Sequence, residues 1–271
     1  MIKALFFDLD GTLLNREKTI SQKTREALEK CKEKGMKLFV TTARPPLLDK
    51  MLCWDNKTLT LFDGGSYLNG GCIKINGEKE YIPISDDIVM NAINYVYNYE
   101  NLNIALQLEG EKHAFRFILE EKARKSWGIP LNYCLELDGV NDLKTIKILI
   151  FYENFIDSVT YIENSLISSL SNLCHSKAQF YIEGGKCAVI TGKSVNKYES
   201  IEKIRLKFNF EKDEIAVFGD DINDIEMLSE YKFSVAMGNA ENYIKNAATY
   251  ITLDNDSDGI YHAICNILRL V

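Results

Sequence analysis

The chain has 271 residues, 46% hydrophobic and 26% charged with only four prolines, which is enough folded material for one large domain or two of ordinary size. A net charge of -7 argues against general nucleic-acid affinity, because phosphate backbones are held by clustered Lys and Arg, but it leaves room for a small phosphorylated partner bound locally. Seven cysteines with no CxxC pair suit reduced thiols, Asp8 comes too early for a signal-peptide apolar region, and no run reaches the roughly 18 apolar residues of a membrane span, so a cytoplasmic protein without a membrane partner is expected.

In chain order, Ala4-Leu5-Phe6-Phe7 is a short apolar run without polar alternation, which predicts a strand buried on both faces of a parallel sheet. Gly11-Thr12 breaks it. If extended geometry continues to Asp10, the side chains of Asp8 and Asp10 share one side and Leu9 points away. Two convergent carboxylates repel, and a bound cation or a proton held by one of them relieves the repulsion. Ser21 to Lys34 then predicts an amphipathic helix with Ala27, Leu28 and Cys31 on one face, Ser21 as its cap and Gly35 as its stop. Met36 to Val40 predicts a second buried strand running into Thr41-Thr42-Ala43-Arg44, a polar turn with a hydroxyl and a guanidinium. Leu59 to Phe62 predicts a third, leading into Asp63-Gly64. A hairpin through Cys72 to Ile75 and Tyr81 to Pro83 turns at Asn76-Gly77.

From Ser85 the pattern changes. Helices are expected over 85–99, 120–127 and 154–170, and strands over 104–109, 114–119, 145–151 and 179–182. The block 84–184 therefore predicts an inserted α/β domain, with 1–83 and 185–271 forming the other. His113, His175 and His262 lack metal-ligand spacing and are expected to be structural or surface residues. The buried-strand pattern resumes with Ala188 to Ile190 and continues with strands 214–218, 232–235 and 250–251 alternating with helices 198–208, 224–230, 241–247 and 259–270. This alternation predicts a doubly wound parallel sheet, Rossmann-like, whose ligands collect beyond the strand carboxyl ends. There lie Asp8 and Asp10, Thr42 and Arg44, Lys193 and Lys197, and Gly219 to Asp224.

Each cluster alone has an ordinary reading as a turn, a helix cap or a surface lysine. Their joint placement at one sheet edge fits phosphoryl transfer. Asp8 and Asp220 with a backbone oxygen of Asp10 offer the hard oxygen ligands that Mg²⁺ prefers. Lys197, Thr42 and backbone N–H groups near Leu9 to Gly11 offer positive charge and donors to a phosphoryl group. Asp8 would act as nucleophile and Asp10 as acid and base.

At these residues the sequence resembles the haloacid dehalogenase superfamily, and within it the Cof-type phosphatases that carry a large α/β cap (C2B type). The family's Asp-x-Asp-Gly-Thr-Leu-Leu is met by Asp8 to Leu14, its hydroxyl motif by Thr42, its lysine by Lys197 and its acidic motif by Gly219 to Asp224; Ala236 to Ala240 and Asp258 to Ile260 also look like Cof signatures. The resemblance implies Mg²⁺, an aspartyl-phosphate, and a cap closing over small phosphorylated metabolites. It carries nucleophile and acid/base onto Asp8 and Asp10, metal binding onto Asp8, Asp10 and Asp220, and phosphate contacts onto Thr42, Lys197 and Asn223. Asp221 and Asp224 are candidates for outer-shell or metal roles, and Arg44 faces the substrate. Two departures stand out. The usual Thr-Gly-Arg is Thr42-Ala43-Arg44, and the usual Asn-Gly after the third strand is Asp63-Gly64, which would add a negative charge near the substrate entrance. The expectation is a phosphoric monoester hydrolase; the alternatives are a phosphosugar mutase or a non-catalytic phospholigand-binding protein. The oligomeric state is left open.

Overall fold

A computed structural model describes residues 1–52, 54–139, 143–152 and 161–271. Among them the strands run, in chain order, β1 (Ala4–Phe7), β2 (Lys37–Thr41), β3 (Gly64–Tyr67), β4 (Cys72–Ile75), β5 (Glu78–Tyr81), β6 (Leu102–Leu108), β7 (His113–Phe115), β8 (Cys134–Glu136), β9 (Thr145–Tyr152), β10 (Ala178–Glu183), β11 (Cys187–Gly192), β12 (Ile215–Gly219), β13 (Phe233–Ala236) and β14 (Tyr250–Ile251). The chain divides into two compact units, 1–80 with 196–271, and 81–195. No helix among the described residues is long and apolar enough to cross a membrane.

The first unit is built on a sheet of order β14-β13-β12-β1-β2-β3-β4-β5. Its strands are parallel from β14 to β3, and β4 returns antiparallel. The chain winds outward from β1 through β2 to β3, then from β12 through β13 to β14 on the other side. The winding direction therefore reverses between β1 and β12, the place where open α/β sheets receive ligands. β1 is buried on both faces because Phe6 stacks on Phe39 at 4.7 Å between ring centroids while Phe7, pointing the other way, stacks on Phe218 at 4.8 Å. Burying each such side chain contributes up to about 3 kcal/mol, so the register of β1 is firmly set. The helix Gln22–Glu33 buries Ala27, Leu28 and Cys31, and Ser21 caps it by accepting from the Thr24 N–H at 3.2 Å.

Two sequence expectations fail in this unit. Leu59 to Phe62 is not a strand: Leu59 ends the short helix Asn56–Leu59, capped by Asp55, and β3 begins at Gly64. Asp63 thus stands at the start of the third strand. Its carboxylate takes Lys32 Nζ at 2.6 Å, Lys37 Nζ at 2.8 Å and the Leu38 N–H at 3.0 Å, and although burial opposes ionisation, these partners hold it below the usual carboxylate range. Lys37 opens β2 and pairs across to the start of the sheet, so Asp63 braces the edge opposite the strand carboxyl ends and adds no charge at a substrate entrance. The Asn-Gly pair that follows the third strand is Asn69-Gly70.

The second unit carries a sheet of order β10-β11-β9-β6-β7-β8, antiparallel except between β7 and β8. β11, expected in the parallel sheet, lies here between β10 and β9, which moves the downstream end of this unit from 184 to 195. The reason is that this sheet is covered on both faces. Ala188 and Ile190 join the helices Asp86–Tyr97 and Asn164–Cys174 on one side, and Val189 joins Phe115, Phe151 and Trp127 on the other. Such a strand reads as an unbroken apolar run, as a parallel core strand does. The expected helix 154–170 falls partly outside the described residues; the described helix is Asn164–Cys174. The three-residue β8 carried no pattern long enough to read.

His113 is fully buried on β7, with Nε2 3.1 Å from Gln107 Nε2, and burial lowers its pKa from 6.5 to about 4. The unfolded chain therefore binds a proton that the folded chain refuses between those values, and stability falls as pH drops from about 6.5 towards 4. Between pH 7 and pH 5, urea unfolding is expected to show the parent losing about 2 kcal/mol relative to His113→Gln, the comparison cancelling the other titrating groups.

Candidate active site

The site lies in the first unit and begins where β1 and β12 end side by side, Phe7 opposite Phe218. Asp8 follows β1, and its backbone N–H donates to the Phe218 carbonyl at 3.0 Å, extending the pairing by one residue. Asp220 follows β12. Gly11 stands between them with φ +84°, and a Cβ there would lie 2.2 Å from Asp220 Oδ2. Only glycine admits both the backbone turn and the approach of that carboxylate. Gly219 makes the same kind of room for Asp224, whose Cγ would meet a Cβ at 2.5 Å.

Asp8, Asp220 and Asp224 each offer a carboxylate oxygen, and these oxygens lie within 4.8 Å of one another. Lys197 Nζ donates to Asp8 Oδ1 and Asp224 Oδ1, each at 2.6 Å, and is 1% exposed. Burial opposes its charge, but Asp224 and Asp8 more than offset that and hold the ammonium protonated far above the usual lysine range. Asp8 is pushed well above an ordinary carboxylate by burial, with Asp224 and Asp220 adding to the effect of burial and Lys197 opposing it. Asp220 rises to about 7, chiefly through burial, while a 2.6 Å hydrogen bond from Thr12 Oγ1 pulls the other way. Fully ionised, three acids facing one ammonium would leave two negative charges uncompensated in a buried place, and the donor set is all oxygen. Those features fit a hard divalent cation such as Mg²⁺.

Each acid has its own support. Asp224 Oδ2 accepts the N–H groups of Asp220 at 3.0 Å and Asp221 at 3.1 Å, which curls the loop around it. Asp220 Oδ2 accepts from Asn239 Nδ2 at 3.1 Å, and the same amide donates to the Gly11 carbonyl at 2.9 Å. Asp221, by contrast, is exposed and caps the following turn by accepting from the Ile222 N–H, so its carboxylate is outside the acidic cluster.

Asp10 does not converge with Asp8. Its carboxylate is gripped by Arg44, Nε to Oδ2 at 2.6 Å and Nη2 to Oδ1 at 2.7 Å, and by Lys18 Nζ at 2.7 Å. Burial alone would raise its pKa, yet these two cations bring it below the usual value, so this structure holds Asp10 ionised rather than carrying the expected proton. The residues that expectation placed beside Asp8 are thus divided: Asp224 joins the acidic cluster and Asp10 joins Arg44.

Thr42 is buried just beyond β2, donates its N–H to the Ser66 carbonyl at 2.9 Å and accepts the Arg44 N–H on Oγ1 at 3.1 Å. Leu9 is buried, its carbonyl accepting from the Thr12 and Leu14 N–H groups, which shapes the loop after β1. Asn223 Nδ2 donates to Asn69 Oδ1 at 3.2 Å, while Asn223 Oδ1 is buried without a described partner. Lys197 arrives as the first residue of the helix Lys197–Phe208, capped by Asn196, rather than from a core strand, and Lys193 is exposed in the second unit. Sequence reasoning gave no role to Thr12, Lys18, Asn69 or Asn239. The Asn-Gly at 69–70 just past a strand was a signal that could have pointed to Asn69.

A sequence model for haloacid dehalogenase-like hydrolases matches residues 5–264. Among similar proteins, 5-amino-6-(5-phospho-D-ribitylamino)uracil phosphatase YcsE of Bacillus subtilis is 25% identical over 97% of this chain and 94% of its own. Phosphoglycolate phosphatase of Methanobrevibacter smithii is 24% identical over 97% of both chains. Among solved structures, the HAD subclass IIB sugar phosphatase BT4131 superposes with a TM-score of 0.81 at 26% identity, covering 98% of this chain and 99% of its own.

Gly11→Ala is expected to lower stability by about 1–3 kcal/mol and to cut activity sharply, because the methyl displaces the Asp220 carboxylate. Thermal unfolding and phosphate release measured together check this; unchanged activity would contradict the close approach of Gly11 to Asp220.

Proposed function

Because the chain belongs to the haloacid dehalogenase-like hydrolase family, as a Cof-type phosphatase with a Rossmann-like core and an inserted cap, we propose that it hydrolyses small phosphorylated metabolites with Mg²⁺ through an aspartyl-phosphate on Asp8. It is a phosphoric monoester hydrolase, as its relatives are phosphatases. The observation that carries the finer reading is the buried grouping of Asp8, Asp220 and Asp224 on one lysine.

Asp8 and Asp220 with the Asp10 carbonyl would hold the metal, and Asp224, locked by Lys197 and two backbone N–H groups, would support them or serve as a further ligand. Bound Mg²⁺ supplies positive charge against the phosphoryl oxygens. Asp8 Oδ1 is held by Lys197, and Oδ2, which accepts from no described residue, attacks phosphorus as the ester oxygen leaves. Thr42, the Leu9 N–H and Asn223 donate to the phosphoryl oxygens, and Lys197 keeps its charge throughout. Asp10, taking up a proton from solvent as it leaves the Arg44 fork, gives it to the leaving oxygen and regains one from the water that attacks the phosphorus on Asp8; that attack frees inorganic phosphate, restores the Asp8 carboxylate and leaves Asp10 protonated for the next turnover. For this, Asp10 must exchange the Arg44 fork for the substrate, so Arg44 both restrains the acid at rest and is placed to meet the substrate. The relatives named above act on different phosphomonoesters, which supports a small phosphorylated metabolite, a sugar phosphate or similar, selected by the inserted unit and not by the phosphate site.

Purified protein is expected to hydrolyse p-nitrophenyl phosphate only with Mg²⁺, to lose activity with a chelator, and to fall by at least about 10³-fold in Asp8→Asn. Metal-independent turnover, or full activity in that variant, would refute this reading.

A further inference from the structure

The first unit holds a second concavity, lined by none of the residues of the acidic cluster. It is a cavity of about 610 Å³ between the stretch that follows Pro46 and the β3–β4 edge of the sheet, within the roughly 300–1,000 Å³ typical of small-molecule sites. Trp54 and Phe62 both line it, their rings stacked on each other with centroids 5.5 Å apart and planes 15° apart. Its polar groups are unequally engaged. Asp63 is saturated by Lys32, Lys37 and the Leu38 N–H, and Asp49 pairs with Lys50 at 3.2 Å. Lys74 pairs with no described residue, and the Trp54 Nε1–H is buried with no acceptor among them.

The lining therefore offers aromatic rings and one uncommitted cation, with Asp63 saturated and Asp49 paired to Lys50. A flat apolar ligand bearing a negative charge complements both, whereas a cationic ligand would meet Lys74 as a like charge. We propose that this cavity is a second binding site, for small planar aromatic anions, with the ring against Trp54 and Phe62 and the charged oxygens on Lys74. It is separate from the phosphate site and independent of the reaction assigned there.

The probe is 2-naphthoate, titrated calorimetrically into the full chain with Mg²⁺ and inorganic phosphate present in excess to fill the acidic site. One-to-one binding is expected, weakened at least tenfold in Lys74→Met, weakened comparably for the neutral 2-naphthamide, and lost in Trp54→Leu. Because the Lys74 ammonium has no described partner, Lys74→Met is expected to unfold at the same temperature as the parent, so its effect is not one of folding. No binding, equal affinity for Lys74→Met, or competitive displacement of naphthoate by phosphate would each overturn the proposal.

Discussion

Lys197 Nζ is the group on which the rest of the site depends. It sits 2.6 Å from both Asp8 and Asp224, almost wholly out of water, and so joins the loop after β1, the start of the helix Lys197–Phe208 and the turn after β12. Taking an ammonium and carboxylates out of water costs several kcal/mol per ion, and only good geometry with further hydrogen bonds offsets it. Here Asp224 has those further bonds and Asp8 does not. The lysine is therefore anchored on Asp224, while Asp8 keeps an oxygen with no described partner that the lysine steadies without consuming.

The sheet supplies the rest of the constraint. Reversal of winding between β1 and β12 leaves two parallel strand ends adjacent with no connecting segment over them, and the residues after those ends are the acids. The close approach is possible only because position 11 has no side chain. Beyond it, the polar side chains fall into two sets with separate partners. Lys197 serves the acidic cluster, and Arg44 with Lys18 serves Asp10. Separate cations thus hold Asp8 and Asp10, which stand only two residues apart in sequence.

Much of this was legible in the chain. β1, β2 and β12 announce themselves as apolar runs stopped by Gly or polar residues, and the acids and Thr42 stand just past their ends, whereas Lys197, expected after a core strand, arrives on a helix. What was hidden depends on long-range pairing. Strand alternation placed Asp8 and Asp10 together, but the chain leaves extended geometry after Phe7, and Arg44, 34 residues away, decides where Asp10 turns. The pairing of Asp63 with Lys32 and Lys37 is likewise invisible until β2 and β3 lie side by side. β11 escaped assignment because burial on both faces looks the same in either sheet, and Asn239 because an amide that holds a carboxylate from behind has no local pattern.

The separation of β1 from β12 bears on how such a chain comes to be made. Phe7 is paired with Phe218, about 210 residues later, and the whole second unit is translated in between. At a synthesis rate of about 5–20 residues per second, the apolar segment at the amino terminus waits roughly 10–40 s before its partner strand exists. Until then one edge of β1 has unpaired backbone groups and Phe7 lacks the ring that covers it, a state open to wrong pairing. The second unit, contiguous in sequence and with its own apolar clusters on both faces of its sheet, has no such wait. Biogenesis therefore runs in the opposite order to the numbering: the insertion can become native on the ribosome, and the catalytic half that begins the chain is the last to close.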